Sequence, residues 1–248
     1  HLIMQYNISP ETFSGMTSDT TNVDMMLRKE VRTNNLFAQT PNGAKFSKRK
    51  QGFLPEILEN LYDERVLWKN KMIEYQKEFE SSSDPKRKQE LNRDIAIAYN
   101  NQMVRKISLN SAYGAIGNEW FRYFEIGLAE AVTSSGQLAI KWVELAVNKY
   151  LNTILGTEED YVVAIDTDSI YVRFDELVKK VNPQNPIEFL DQVGNGKIQD
   201  VINKCYEELA EYSSAYQNKM VMGREVIADK GIWTAKKRYI LNVHDNEG

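Results

Sequence analysis

The sequence predicts an α+β fold: a small antiparallel sheet with packed helices behind it and a projecting helical hairpin. Three observations carry that expectation. Long stretches with apolar residues three and four apart read as helices. Short β-branched runs around polar turns, most clearly "YVVAIDTDSIYVRF" at 161–174, read as strands. Residues 81–85, "SSSDP", break one long helical pattern into two arms.

Taken in order, the first 44 residues read as irregular. Turn formers in "NISPETFSG" and "TPNGAKF" surround a short amphipathic stretch, "VDMMLRKEV". From Pro55 the pattern is helical, with Ile57, Leu58, Leu61, Val66, Trp68, Met72, Ile73 and Tyr75 spaced among many charges. A second helix is predicted from about Lys86 to Tyr113, stopping at Gly114 as a favourable C-cap residue. Helix resumes over about 128–151, the 161–174 hairpin follows, and helix covers about 186–216. The end, "MVMGREVIADKGIWTAKKRYILNV", reads as two strands around a glycine-containing connection. No internal repeat or interdomain linker interrupts this order.

Composition narrows the chemistry. At 248 residues, 42% hydrophobic and 27% charged, the chain has the make-up of an ordinary globular protein. It holds no apolar run of the roughly 18 residues a membrane helix needs. Its start lacks the basic end and small-residue cleavage site of a secretory signal. The lone Cys205 excludes an internal disulfide framework and a cysteine metal cage, and suits a reducing cytoplasm. Two histidines, His1 and His244, argue against a His-rich zinc site. Formal charge is −4, yet "KFSKRK" (45–50), "KRK" (86–88) and "KKR" (236–238) are basic islands that keep a polyanion partner open.

Asp166 and Asp168 stand one residue apart at the predicted hairpin tip. Asp and Ser are natural turn residues, because their side chains bond nearby backbone. Two carboxylates strain that explanation: at ~4 Å and an effective dielectric near 20 they repel by about 4 kcal/mol. A cation relieves this, and Mg²⁺ commonly takes one or two carboxylates plus substrate phosphates. The pattern points to phosphoryl or nucleotidyl transfer, although D-x-D also occurs in glycosyltransferases. A second constellation is "VRKISLNSAYGAIGN" (104–118). Lys106, Asn110 and Tyr113 fall at i, i+4 and i+7 of a helix and share one face. A cation, an amide and an aromatic ring there could hold a phosphate, a base edge and a base face. Arg65 and Lys69, in "YDERVLWKN", form a two-cation face on the other arm. Facing Lys106, they give three cations for one triphosphate. No Walker-type loop is present, so phosphate binding falls to such side chains and metal.

These residues resemble the motifs of the family-B DNA polymerases, and nearly the whole chain is similar to those of the T-even bacteriophage type. "DTDSIYV" resembles motif C, and "KISLNSAYGAIGN" resembles motif B, K-x-x-x-N-S-x-Y-G. "VTSSGQLAIKWVE", "GREVIADKGIWTAKKRYILNV" and "YNISPET" extend the resemblance. It implies a polymerase palm over residues 1–51 and 118–248, with fingers over 52–117. It further implies that Asp166 and Asp168 are catalytic and bind metal, with Glu225 nearby, and that two Mg²⁺ ions serve the complete enzyme. Arg65, Lys69, Lys106, Asn110 and Tyr113 would bind the deoxynucleoside triphosphate. Lys236, Lys237, Arg238 and Tyr239, with Gly114 of motif B, would contact primer–template DNA. Localisation would be the host cytoplasm, with no membrane partner.

Two departures stand out. Ala164-Ile165 occupies the place where motif C usually carries Tyr-Gly. Motif A, D-x-x-S-L-Y-P, is not in the chain, and "HLIMQYNISPET" resembles what directly follows it. Asp19 and Asp24 lack that pattern. Exonuclease and thumb segments are also missing, so these residues alone are expected to be inactive. A non-catalytic nucleotide- or DNA-binding module retaining the fold is the alternative reading. A glycosyltransferase would leave motif B unexplained.

Overall fold

The computed structural model describes residues 1–17 and 20–246; Asp19 lies outside them. One 30-residue helix, α5 (Ile126–Leu155), is the spine. Its apolar residues fall on a stripe of three- and four-residue steps, so one face is buried along its length. Leu128, Ala129 and Ala131 at its start pack with Ile3, Met4, Tyr6 and Ile8, and with Ala38, Ala44 and Phe46. Leu138, Trp142, Val143, Val147 and Leu151 further on pack with Tyr161, Val162, Ile202, Cys205, Tyr206 and Leu209. The first cluster belongs to the N-terminal segment, and the second carries the hairpin of the carboxylates.

The first 44 residues are more regular than their turn formers suggest. They contain α1 (Leu2–Tyr6), β1 (Phe13–Met16), α2 (Val23–Leu27) and β2 (Phe37–Gln39), followed by β3 (Ala44–Ser47). These strands form an antiparallel sheet in the order β1-β3-β2. Its strands are three or four residues long and joined by turns, too short to show a period of two in the sequence. "YNISPET" turns out to be a polar knot. Asn7, in the left-handed region at φ 57°, donates from Nδ2 to the carbonyls of Ser47 and Lys50, and its Oδ1 accepts from Gly52 N–H. A Cβ on Gly52 would stand 2.5 Å from the Ser9 Cβ, so glycine is what lets the chain pass there. Glu11 accepts from the Phe53 N–H at 2.6 Å. The knot fixes the root of the next helix on the sheet.

That helix, α3 (Phe53–Ser81), and α4 (Pro85–Ile116) form the predicted hairpin. Asp84 caps α4 by accepting from Lys86 N–H at 3.0 Å, and Pro85 takes the first position, where its missing N–H costs nothing. Only Pro55 and Leu58 of α3 are buried, both near its root, where Lys219 also pairs with Glu59. At 1.5 Å per residue the 29-residue α3 extends about 43 Å. Further out the two helices are joined mainly to each other. Arg105 bonds Glu64 at 2.6 Å and lies over the Trp68 ring, and Arg87 bonds Glu78 at 2.7 Å. Gly114 does not end α4; the helix runs two residues beyond it and stops at Gly117. Glycine lowers helix propensity without forbidding the helix.

After α5, Gly156 at φ 75° turns the chain into β4 (Val162–Asp166) and β5 (Ser169–Val172), the predicted hairpin. The predicted helix over 186–216 is shorter and broken. It comprises α7 (Pro186–Val193), a π-type turn over 194–198 containing two glycines, and α8 (Gln199–Tyr212). A short α6 (Asp175–Val181) precedes it. The last hairpin pairs β6 (Val226–Ala235) with β7 (Arg238–Asn246). Its connection is Lys236-Lys237, and Gly231 lies inside β6, not in the turn. A Cβ on Gly231 would meet the Trp233 ring at 2.6 Å, so the glycine seats that ring. Among the described residues the strands thus form three separate antiparallel sheets, within the predicted α+β class.

Candidate active site

The carboxylate hairpin is rooted firmly and tipped freely. Tyr161, fully buried, begins it. The Tyr161 N–H donates to Asn148 Oδ1 on α5 at 2.8 Å, and its hydroxyl donates to Glu176 on α6 at 2.8 Å. Val162 is buried against α5, and Ile170 and Val172 pack on the same core. Toward the tip burial falls away. Asp166 pairs with Ser169 across a two-residue loop, and the Asp168 N–H donates to the Asp166 carbonyl at 2.7 Å. Thr167 sits at φ 59°, a region costly for a β-branched residue. Asp168 is exposed and Asp166 half-buried. Both carboxylates therefore stand at the end of a hairpin held by its base.

Asp166 is not alone. Its Oδ1 accepts from Lys237 Nζ at 2.9 Å and from the Thr167 hydroxyl at 3.1 Å. Lys237 is the larger influence holding the Asp166 carboxyl below its ordinary range, with Thr167 adding to it. The bond to Asp166 in turn raises Lys237, assisted by the nearby charge of Asp168. Burial pushes the Tyr206 hydroxyl up, and the charge of Asp168 adds to that shift.

Three rings bring Lys237 to Asp166. Tyr171 on β5 meets Trp233 and Tyr239 edge-on, each at 5.3 Å between centroids, and those two face each other across β6–β7. Burial, then the Tyr239 hydroxyl, raises the Tyr171 phenol. The last hairpin is thereby held against the carboxylate hairpin, with its lysine turn at the tip. Sequence patterning singled out the lysines and not this joint. Tyr171 and Trp233 carry no local signal for it, because their partners lie more than 60 residues apart in the chain.

The other predicted residues occupy the arm. Lys106, Asn110 and Tyr113 lie on one continuous helix, all exposed, and Lys69 is exposed on the facing helix. Arg65 is half-buried, and its Nε is buried without a hydrogen-bond partner. Among the described residues, Lys69, Lys106 and Asn110 have no ion-pair or hydrogen-bond partner. Arg105, which the sequence did not single out, is the arm's internal tie to Glu64. Gly114 presents open space where a Cβ would sit. Lys236 and Arg238 are exposed beside Lys237. Glu225, also exposed, precedes β6, and its charge reaches Tyr171.

Asp166 and Asp168 supply hard oxygens of the kind Mg²⁺ takes, and waters and substrate phosphates ordinarily complete such a shell. Among the described residues no third Asp, Glu, His or Cys joins them in a cluster. Asp24 instead lies 3.5 Å from Lys141 on α5. The donor set fits a divalent ion shared with a phosphate-bearing substrate, and not a closed structural site.

The acid pair stands on a hairpin, exposed cations stand on a helical arm, and a basic turn reaches Asp166. The family model described as "DNA polymerase family B" matches residues 1–247, and the chain belongs to that family. The DNA-directed DNA polymerase of Escherichia phage RB69 is 33% identical over 299 aligned positions, covering all of this chain and 33% of the relative. That of Enterobacteria phage T4 is 32% identical, covering 99% of this chain and 33% of the relative. The DNA polymerase delta catalytic subunit of Bos taurus is 34% identical over 57% of this chain. The chain spans about one third of the length of the phage relatives. No described helix is long and apolar enough to cross a membrane.

Proposed function

We propose that this chain is the palm and fingers portion of a template-directed DNA polymerase. The reaction joins a deoxynucleoside triphosphate to a primer 3′-hydroxyl with release of pyrophosphate. The observation that carries this reading is the acid pair, Asp166 half-buried and Asp168 exposed, at the tip of a core-rooted hairpin in a family-B chain. Residues 1–51 and 118–248 make the palm in this reading, and 52–117 make the fingers.

Two Mg²⁺ ions, held partly by Asp166 and Asp168, would supply charge neutralisation at the attacking and leaving oxygens. The chain's own residues bind and orient. Arg65 can fork phosphate oxygens, while Lys69 and Lys106 act as point charges on the triphosphate. Asn110 and Tyr113 line the nascent base pair one and two turns beyond Lys106. Lys236, Lys237, Arg238 and Tyr239 grip the primer–template, and Gly114 leaves space beside the pair. The helical arm closes over the nucleotide as a lid. Such an enzyme would work in the cytoplasm of an infected host cell. With no third acid clustered at the pair among the described residues, residues 1–248 by themselves are expected not to extend a primer. Motif A, supplied from outside these residues, would complete the site.

The test is primer extension by a full-length polymerase carrying this segment. Asp168→Asn is expected to lower kcat by at least about 10²-fold. Because Asp168 is exposed, stability should stay within about 0.5 kcal/mol. Undiminished extension by that variant refutes the reading and favours a binding module without catalysis.

A further inference from the structure

We infer that Lys237 is a resident counter-ion, seated on Asp166 while the site holds neither divalent cation nor duplex, so that duplex binding and divalent-cation binding are coupled through this one ammonium group. The inference rests on the proposed polymerase reading and adds to it a dual assignment for Lys237.

The placement is specific. Lys236 and Lys237 together form the connection between β6 and β7, yet only Lys237 bonds the acid pair, at 2.9 Å. Lys237 takes φ 61°, so the left-handed step of the turn falls on the residue that makes the bond. Tyr171, Trp233 and Tyr239 fix the approach of the two hairpins, and the ammonium reaches Asp166 from a side the rings determine. The bond itself is made to be broken. The Lys237 side chain is 62% exposed and that of Asp166 26% exposed, and exposed pairs hold weakly.

Competition follows from charge and valence. An ammonium on Asp166 Oδ1 occupies a carboxylate oxygen that a divalent ion would use, and repels that ion. The ammonium also relieves the repulsion between Asp166 and Asp168. A DNA duplex offers Lys237 a dense row of phosphates instead. If duplex draws Lys237 away, Asp166 becomes available to the cation, and by linkage the cation strengthens the lysine's contact with DNA.

Mn²⁺ binding, followed by the electron paramagnetic resonance signal of the free ion, tests this without an activity readout. Binding that depends on Asp166 and Asp168 is isolated by subtracting Asp166→Asn and Asp168→Asn. Lys237→Gln is expected to tighten that binding roughly two- to fivefold, and Lys236→Gln to tighten it less, because the Lys236 charge acts on Asp166 without a bond. Duplex should tighten it in the unmodified protein and not further in Lys237→Gln. In the unmodified protein, acylation of Lys237 read by mass spectrometry should rise when Mn²⁺ is added without DNA, while Lys236 stays constant. An unchanged or weakened affinity in Lys237→Gln, or Lys237 labelling indifferent to Mn²⁺, overturns the inference. Mn²⁺ binding that survives loss of both aspartates overturns the metal-site reading beneath it, which is a separate result.

Discussion

The carboxylate hairpin and the helical arm are both antiparallel pairs joined by short turns, and they are held in opposite ways. The hairpin is short and its root is sunk in the core: Tyr161 and Val162 are buried against α5, α8 and α6. The arm is long, and beyond its first turns its two helices hold each other through exposed charges and a short row of buried residues, Leu91, Ala98 and Gln102 of α4. Apolar burial contributes about 25 cal/mol per Å², whereas exposed ion pairs contribute about 0–1 kcal/mol each. In the proposed reading, the acids that meet the reacting atoms therefore stand on the rigid pair. In the same reading, the cations that collect a flexible triphosphate stand on the pair with less anchoring in the core. A lid must open at low cost, and elements with few buried contacts open first.

That contrast breaks if the two regions lose stability together. Leu151 is fully buried under the carboxylate hairpin, and Leu67 is 52% exposed on the arm. Leu151→Ala is expected to cost about 2–5 kcal/mol, and Leu67→Ala within about 0.5 kcal/mol, in denaturant unfolding. Cys205 supplies an internal reporter. Burial pushes its thiol up to about 12, so in the folded protein it should resist alkylation at neutral pH. Its alkylation rate should rise in Leu151→Ala and not in Leu67→Ala. Equal acceleration in both variants would mean that arm and core open as one unit.

The same contrast governs what the sequence made legible. Both pairs were visible because each is local: "SSSDP" marks the tip of the arm, and two β-branched runs frame Asp166 to Ser169. Lys106, Asn110 and Tyr113 shared a predicted face because helical periodicity alone decides it. The Tyr171–Trp233–Tyr239 joint and the Lys237–Asp166 bond were invisible, since strand pairing and ring contact across 62 or 71 residues leave no periodic trace. The sheet of β1, β2 and β3 was hidden for a different reason. Its strands are so short that the turns between them dominate the composition. Gly231 was misplaced because a glycine between strand-like runs signals a turn, whereas here it clears room for an indole ring.

Lys106 sharpens the contrast on the functional side. It is exposed and unpartnered among the described residues, so the folded arm does not need it. Lys106→Ala should leave stability within about 0.5 kcal/mol while nucleotide affinity falls by about 1.5–3 kcal/mol, roughly 10- to 150-fold. Isothermal titration of a full-length polymerase with deoxynucleoside triphosphate in the presence of primer–template measures this. Unchanged affinity would remove Lys106 from the triphosphate site and leave the arm's free cations without an assigned ligand.

Gly114 carries the smallest expected change in stability, and its sign is the informative part. It lies inside α4, two residues before the helix ends, and open space surrounds the position of a Cβ. Packing therefore gives no reason for glycine, and helix propensity opposes it: alanine there should stabilise the helix by about 0.5–1 kcal/mol. A helix that forgoes this stability at an exposed position has a use for the vacant space. In the proposed reading that space admits the edge of the nascent base pair beside Tyr113. Gly114→Ala should then raise the thermal midpoint slightly and weaken primer extension, an opposed pair of effects that a purely structural glycine cannot produce. If extension is unaffected while the midpoint rises, Gly114 leaves the DNA-contacting set, and the pair-facing surface of the arm shrinks to Asn110 and Tyr113.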